Sequence, residues 1–322
     1  MRILFAGTPA VAVPSLRRLV EDGHDVAAVL TRPDAPTGRK RTLTPSPVAA
    51  CATELGLPLI HARRIDATVR DAVRAVRPEL AAIVAYGGLV PWEALAIPEH
   101  GWINLHFSLL PRWRGAAPVQ HAVIHGDEIT GAATFQLEEG LDTGPVFGTV
   151  TQPVDPGTTS GELLEALSFS GAELLAQTVA GIAAGRLEAV PQAGEPSLAP
   201  KLGIEDGRVD WAQPALAIRR RINGTTPEPG AWTELDGQRL KLGPLRASGP
   251  VPPEAGTPRP GGVVVLPGKR PRVFVGTGSH PLELETVQPA GRKMMTAADW
   301  ARGLPAPDAT PHADPAERTY LG

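Results

Sequence analysis

The sequence predicts an α/β chain in which a doubly wound, mostly parallel sheet domain is followed by a small β-barrel domain. In the first half, apolar strand patterns alternate with helical patterns; a Pro- and Gly-rich stretch then interrupts the periodicity, and short strands without intervening helices follow. A length of 322 residues also favours two domains. We expect a first domain over 1–190, a linker over 191–206 and a second domain over 207–322.

The first half of the chain is predicted to form a Rossmann-like fold. Its strands are expected at 2–6, 26–31, 58–60, 80–85 and 103–106, and its first helices at 13–21, 47–56 and 66–76. This spacing predicts right-handed parallel crossovers, and strands that are apolar without alternation indicate burial on both faces. Further elements are expected as a helix at 117–125, strands at 131–138 and 146–152, and a long helix at 160–185.

The second half is predicted to be built from antiparallel strands. Short strands separated by Gly- and Pro-rich turns are expected at 232–235, 239–242, 263–266, 272–275 and 282–287. The dipeptide Asp236-Gly237 between the first two is a strong hairpin signal. Short strands without crossover helices favour a partly open, OB-like barrel.

Composition and charge limit the function classes. The single cysteine, Cys51, excludes an internal disulfide framework and fits the reducing cytoplasm. No apolar run is expected to be long enough to cross a bilayer, and no signal peptide is recognised. Residues 207–322 carry 15 Lys and Arg against 11 Asp and Glu, which leaves the remainder acidic. A basic half permits a polyanionic partner, although chance explains this asymmetry equally well.

Two familiar motifs are disfavoured by their surroundings. Gly7-Thr8-Pro9 follows the first strand but lacks the further glycines of a dinucleotide loop, so oxidoreductase classes lose support. His121 and His125 have the helical spacing of paired metal ligands, but neither an H-E-x-x-H pattern nor a third ligand accompanies them. No metal is therefore expected.

Asn104 and His106 are the first candidate catalytic residues. Alternate positions of a strand face the same side, and this strand ends where ligands bind in open α/β sheets. An amide can stabilise an oxygen as it becomes negative, and an imidazole can transfer protons near neutral pH, so the pair suits acyl transfer. A buried pair that only satisfies backbone groups is the alternative.

A second segment adds a carboxylate to this pair. Gly140 and Gly144 bracket Asp142 between two predicted strands, which permits a tight loop that projects one carboxylate into a cleft. A carboxylate beside an imidazole raises the pKa of the imidazole and selects its tautomer. An isolated Asp in such a loop is more often only a turn former, so the hypothesis requires all three side chains together.

These segments resemble the active-site signature of the folate-dependent formyltransferases. The matching residues are Asn104-x-His106-x-Ser108-Leu109-Leu110-Pro111 and Leu141-Asp142-Thr143-Gly144. The resemblance implies that Asn104, His106 and Asp142 are catalytic and that 10-formyltetrahydrofolate is the donor. It implies folate-binding roles for Tyr86, Gly87, Ser108, Leu109, Leu110, Pro111, Glu138, Glu139, Gly140 and Leu141. Phe107 stands where the family often has Gly, which affects the expected shape of the pocket.

A basic insertion distinguishes one branch of that family. Residues 32–47 form a connection much longer than the roughly 2–6 residues usual in α/β units, and Arg39, Lys40 and Arg41 lie at its tip. It resembles the insertion by which members acting on initiator tRNA engage the acceptor stem. Arg219 and Arg220 of the second domain are also expected to contact tRNA phosphates.

The resemblance covers almost the whole chain. It implies transfer of the formyl group of 10-formyltetrahydrofolate to the α-amino group of methionyl-initiator tRNA, for translation initiation, by a cytoplasmic monomer. Asn104 and His106 would stabilise the tetrahedral oxyanion, while Asp142 would orient His106 and help to remove the amine proton. The alternatives are a sugar-nucleotide N-formyltransferase using the same donor, a hydrolase that releases formate, and a catalytically silent tRNA-binding protein.

Overall fold

The computed structural model describes residues 1–38, 41–246, 250–304 and 319–322. Contacts group the chain into two compact units. The first comprises Met1–Pro118, Ile129–Pro153 and Leu164–Ala199, and the second comprises Val119–Glu128, Val154–Leu163 and Pro200–Gly322. Two short segments of the expected first domain, Val119–Glu128 and Val154–Leu163, therefore pack with the second unit. The sequence-based boundaries at 190 and 207 stay a prediction, because packing does not show which segments fold alone.

Up to residue 183 strands mostly alternate with helices, apart from the consecutive strands at 25–44 and 129–153. The strands are β1 (Arg2–Gly7), β2 (Asp25–Thr31), β3 (Ala35–Thr37), β4 (Thr42–Thr44), β5 (Leu59–His61), β6 (Leu80–Val84), β7 (Trp102–His106), β8 (Ile129–Gln136) and β9 (Val146–Pro153). The helices are α1 (Val13–Glu21), α2 (Pro47–Glu54), α3 (Ala67–Val76), α4 (Trp92–Leu95), α5 (Pro118–His125) and α6 (Ser160–Ala183). Sequence reasoning missed α4 and the β3–β4 hairpin, which lies inside the insertion expected to be irregular.

The first unit is built on one mostly parallel sheet, as predicted. Its strand order is β5-β2-β1-β6-β7-β8-β9, in which the pairs from β5 to β7 are parallel and the last two pairs are antiparallel. Ile3, Leu4, Phe5 and Ala6 of β1 are all fully buried, so helices cover both faces of the central strands. The carboxyl ends of β1, β6 and β7 consequently lie at one edge of the sheet.

Helix α6 contradicts the expectation that no apolar run is long enough to cross a bilayer. By length and composition alone, this helix could cross a membrane. Its residues in the first unit pack on the sheet: the Thr178 hydroxyl lies 2.7 Å from that of Thr134, and Gly171 admits the side chain of Leu105. A helix with large buried surfaces is as apolar as a membrane span, so hydropathy alone does not separate the two.

The second unit contains two antiparallel sheets. Beyond residue 200 its elements are α7 (Ala215–Gly224), β10 (Trp232–Leu235), β11 (Gln238–Leu242), β12 (Val263–Leu266), β13 (Arg272–Val275), β14 (Leu282–Leu284), β15 (Thr286–Gln288), β16 (Met295–Thr296) and α8 (Ala297–Ala301). The sheet orders are β10-β11-β15-β16 and β12-β13-β14. Buried side chains that include Trp211, Ile222, Leu240 and Trp300 form a common core.

Two details of this unit bear on the sequence prediction. Asp236 and Gly237 both have positive φ, and β10 pairs with β11 around them, so the hairpin prediction is confirmed. The single strand expected over 282–287 is wrong, because the chain leaves one sheet after Leu284 and joins the other at Thr286. The antiparallel character is as predicted, while closure into an OB-like barrel stays a prediction.

Candidate active site

The candidate site lies where β7 ends. Asn104 and His106 occupy alternate positions of β7, so their side chains leave the same face of the sheet. Asn104 is partly exposed, and within the described ranges no protein group hydrogen-bonds its amide. His106 is only 6% exposed and meets Phe135 edge-on at 6.3 Å between ring centroids. The Asn104 side chain is therefore available to a ligand, and the His106 side chain is packed inside the protein.

The segment that follows β7 turns back over His106. Within it the Ser108 hydroxyl donates to the carbonyl of Arg112 at 2.6 Å, and Trp113 adopts φ +58°. This conformation brings the Trp113 carbonyl oxygen to 2.9 Å from Nε2 of His106. Because a carbonyl oxygen can only accept, Nε2 carries the hydrogen, and Nδ1 of the neutral ring carries the lone pair.

Asp142 reaches the other side of the imidazole from a tight loop. Gly140 has φ +134°, and a Cβ at Gly144 would overlap the carbonyl oxygen of Gln136, so both glycines are required for this path. Asp142 itself has φ +52°. Its Oδ2 lies 3.8 Å from Nδ1 of His106 and accepts a hydrogen bond from the amide of Gly115 at 2.7 Å.

The electrostatics differ from the sequence expectation. Burial lowers the pKa of His106 below its ordinary value of 6.5, and the Asp142 charge and the Trp113 carbonyl oppose this shift without reversing it. The Asp142 carboxylate does raise this pKa, as expected, but burial outweighs it, so the net shift is downward. The expectation that the carboxylate selects the tautomer is wrong, because the Trp113 carbonyl, which accepts a hydrogen bond from Nε2, selects it.

The residues expected to bind folate differ in how far their side chains are exposed. Gly87 and the 138–141 segment are exposed, and Leu109 and Leu110 are partly exposed. Leu109, Leu110 and Pro111 also line a cavity of about 580 Å³ with residues 193–197. Tyr86 is only 1% exposed and donates its hydroxyl hydrogen to the Ala62 carbonyl, so its side chain belongs to the core. The Ser108 hydroxyl is similarly committed to a backbone carbonyl.

The expected tRNA-binding residues lie in both units. Arg39 and Lys40 are outside the described residues, and Arg41 is exposed with φ +50° beside β4. Arg219 and Arg220 lie on α7 and line a cavity of about 170 Å³ in the second unit. The Arg220 guanidinium packs directly over Gly126, where any Cβ would overlap it. Arg220 therefore has a packing role within its own unit.

The two histidines considered as metal ligands are engaged by the backbone. His121 donates from Nε2 to the carbonyl of Pro200 at 3.0 Å, and His125 donates from Nδ1 to the carbonyl of His121 at 2.8 Å. Among the described residues, no group of three or more His, Cys, Asp or Glu side chains could hold a metal ion.

Sequence reasoning missed residues that hold the site together. Trp113 and Gly115 act through main-chain groups, which no side-chain pattern reveals. Gln192 lies in the stretch expected to be a linker, yet its Nε2 donates to the carbonyls of Asp142 and Gly144, both at 2.8 Å. Nothing in the composition around residue 192 distinguishes it from an ordinary linker position.

Residues 1–179 match the Formyl transferase family model, and residues 201–305 match the model described as Formyl transferase, C-terminal domain. The chain therefore belongs to the formyl transferase family and is a transferase. It is 68% identical over 303 residues to the methionyl-tRNA formyltransferase of Arthrobacter sp. (strain FB24), which covers 94% of this chain and 97% of the relative. It is 64% identical over 308 residues to that of Paenarthrobacter aurescens (strain TC1), covering 96% and 98%.

The fold is also similar to that of solved structures. HypX from Aquifex aeolicus, crystallised in complex with tetrahydrofolic acid, superposes with a TM-score of 0.66 at 19% identity. The match covers 93% of this chain and 46% of HypX, so this chain spans about half the length of that protein. At this identity the likeness shows the fold alone. The resemblance to the formyltransferases found in the sequence is confirmed by the family models.

Proposed function

We propose that this chain transfers the formyl group of 10-formyltetrahydrofolate to the α-amino group of methionyl-initiator tRNA. The observation that carries the proposal is that His106 and Asp142 lie together at the carboxyl end of β7, the strand that also carries Asn104, whose amide has no hydrogen-bond partner in the part of the chain that the structure describes. The acceptor is argued from the relatives, which are named methionyl-tRNA formyltransferases and are 54–68% identical over nearly the whole chain. The alternative of a sugar nucleotide as acceptor has less support from these relatives.

The protein groups suit direct acyl transfer. The Asn104 amide donates a hydrogen bond to the formyl oxygen as it becomes negative. Nδ1 of neutral His106 accepts a proton from the attacking amine, whose ordinary pKa is about 8. The imidazolium formed in this way is stabilised by the Asp142 carboxylate at 3.8 Å and keeps its Nε2 hydrogen bond to Trp113. His106 then returns the proton to the departing N10 nitrogen, so that no net proton is consumed.

Burial of His106 supports this order of events. Because burial lowers the pKa of His106, the ring is neutral before the reaction and can accept a proton near pH 7. With Nε2 already donating to Trp113, His106 becomes a donor at Nδ1 only after it has taken up that proton. Asn104 is therefore the first donor to the oxyanion, and His106 the second. This chemistry requires no metal.

Finer features of the function follow the same proposal. The catalytic domain would span 1–190 and an OB-like tRNA-binding domain 207–322, with the enzyme acting as a monomer in the cytoplasm. Arg39, Lys40 and Arg41 would contact the acceptor stem, and Arg219 and Arg220 would contact phosphates. The exposed position of Arg41 and the basic excess of the second half support these assignments.

The decisive experiment follows labelled formyl from 10-formyltetrahydrofolate to methionyl-tRNA. Initiator methionyl-tRNA should become labelled, and uncharged tRNA, which lacks the amine, should not. A sugar-nucleotide amine and water are tested as competing acceptors in parallel. Preferential labelling of the sugar amine, or release of formate at the same rate without an acceptor, would contradict the proposal.

A further inference from the structure

Gln192 makes the densest set of polar contacts around the candidate site. Its Nε2 donates to the carbonyls of Asp142 and Gly144, and its Oε1 accepts from the Arg114 guanidinium at 2.6 Å from Nη2 and 3.2 Å from Nε. These bonds use both hydrogens of the amide nitrogen and both acceptor positions of the oxygen. The side chain is also partly buried, which strengthens such bonds.

The loop that Gln192 holds adopts an uncommon conformation. Asp142 has φ +52°, a region that non-glycine residues rarely occupy unless their surroundings hold them there. The Asp142 carboxylate is anchored by the Gly115 amide, and the Asp142 main chain is anchored by Gln192. Asp142 is thus restrained through both its carboxylate and its main-chain carbonyl.

The hydrogen bonds around His106 and Asp142 form one connected set. Three consecutive residues each serve a different partner: the Trp113 carbonyl binds His106, the Arg114 guanidinium binds Gln192, and the Gly115 amide binds Asp142. Gln192 then joins Arg114 to the main chain of Asp142. The separation of 3.8 Å between His106 and Asp142 is therefore determined by this set rather than by a direct hydrogen bond.

The backbone around residue 192 is held independently of the Gln192 side chain. On one side, Val190 exchanges two hydrogen bonds of 2.8 Å with Val146. On the other side, Ser197 and Ala199 bond the backbone of Arg114. Removal of the Gln192 amide should consequently leave the segment in place while the Asp142 loop loses its support.

We propose that Gln192 is a positioning residue for formyl transfer, which fixes the Asp142 loop so that the carboxylate keeps its place beside His106. This inference rests on the proposed function for its kinetic consequence. Its structural part, the placement of Asp142 relative to His106, does not depend on the identity of the acceptor.

The test compares Gln192→Met with the wild-type enzyme. Methionine matches the length of glutamine but has no N–H to donate and only a weak acceptor, and Gln177→Met applies the same change to an exposed residue of α6 as a control. For Gln192→Met we expect kcat to fall about 10- to 100-fold, since small misplacements of catalytic groups have effects of this size. The KM values for folate and tRNA should stay close to wild type, and the protein should stay folded at the assay temperature, with a melting temperature that is lowered because the hydrogen bonds of Gln192 are lost.

A second measurement makes the outcome independent of the substrates. Histidine NMR titration should show a lower pKa for His106 in Gln192→Met than in wild type, because a displaced Asp142 no longer raises it as strongly. An unchanged titration together with unchanged kcat would overturn the inference, as would a loss of kcat matched by unfolding. If the wild-type enzyme did not formylate methionyl-tRNA, the proposed function would fail, and the titration would still decide the role of Gln192.

Discussion

Replacement of Asn104 by alanine separates catalysis from folding. The Asn104 amide is partly exposed and has no hydrogen-bond partner within the described ranges, so its removal leaves no buried polar group unpaired. The free energy of unfolding should therefore change by less than about 1 kcal/mol. If the amide stabilises the oxyanion, its loss should raise the barrier by about 2.7–4 kcal/mol, which lowers kcat about 100- to 1,000-fold.

The matched control is Gln136→Ala on the neighbouring strand. The Gln136 amide donates to the Trp102 carbonyl at 3.1 Å, so its loss should lower stability by roughly 0.5–1.5 kcal/mol and leave kcat within about twofold. The assay is single-turnover transfer of labelled formyl to methionyl-tRNA, with thermal melts of all three proteins. Asn104→Ala retaining near-normal turnover, or losing activity only because it unfolds, would refute the assigned role.

Three further outcomes are expected. Gly115→Ala should lower both the melting temperature and kcat, because Gly115 has φ +120° and a Cβ would lie 2.8 Å from the Ala199 carbonyl; wild-type kcat would contradict the anchoring of Asp142. His106 should titrate below 6.5 by NMR. As pH falls, the unfolded chain then takes up a proton on this residue before the folded chain does, so the free energy of unfolding of the wild type should decrease below about pH 6.5. His106→Gln should lack this decrease. The pKa of Glu162 is lowered to about 2, chiefly by its hydrogen bond with Arg246, so the stabilisation from this ion pair should be present above pH 4.5 and lost as pH falls towards 2. Since both side chains are about half exposed, the pair should contribute less than about 1 kcal/mol to the free energy of unfolding. If the melting temperature of Glu162→Gln depended on pH in the same way as that of the wild type, this assignment would be contradicted.

Local patterns predicted much of the first unit. Apolar strands that alternate with amphipathic helices define its parallel sheet, and the spacing of Asn104 and His106 places both on one face of β7. The glycines on either side of Asp142 likewise predicted a tight loop, because their conformational freedom is a property of the residue itself. Such features depend on near neighbours in the chain, which is why a single sequence reveals them.

Features that depend on backbone conformation or distant contacts were not predictable. The tautomer of His106 follows from a carbonyl that only the positive φ of Trp113 directs towards the ring. Gln192 lies 50 residues from Asp142, in a stretch whose composition indicates only a linker. The resemblance to the folate-dependent formyltransferases implied a folate-binding role for Tyr86, but its ring fills the core. In each case the deciding partner is remote in sequence or is a main-chain atom.

The run Trp113-Arg114-Gly115 has a consequence for variation in length. Because adjacent residues address different partners, inserting or deleting one residue there would offset every one of those contacts in a single step. Substitution of the Arg114 side chain would disturb only one of them. Natural or engineered changes in loop length should therefore be strongly counter-selected in this tripeptide, because it sets the spacing between His106, Gln192 and Asp142.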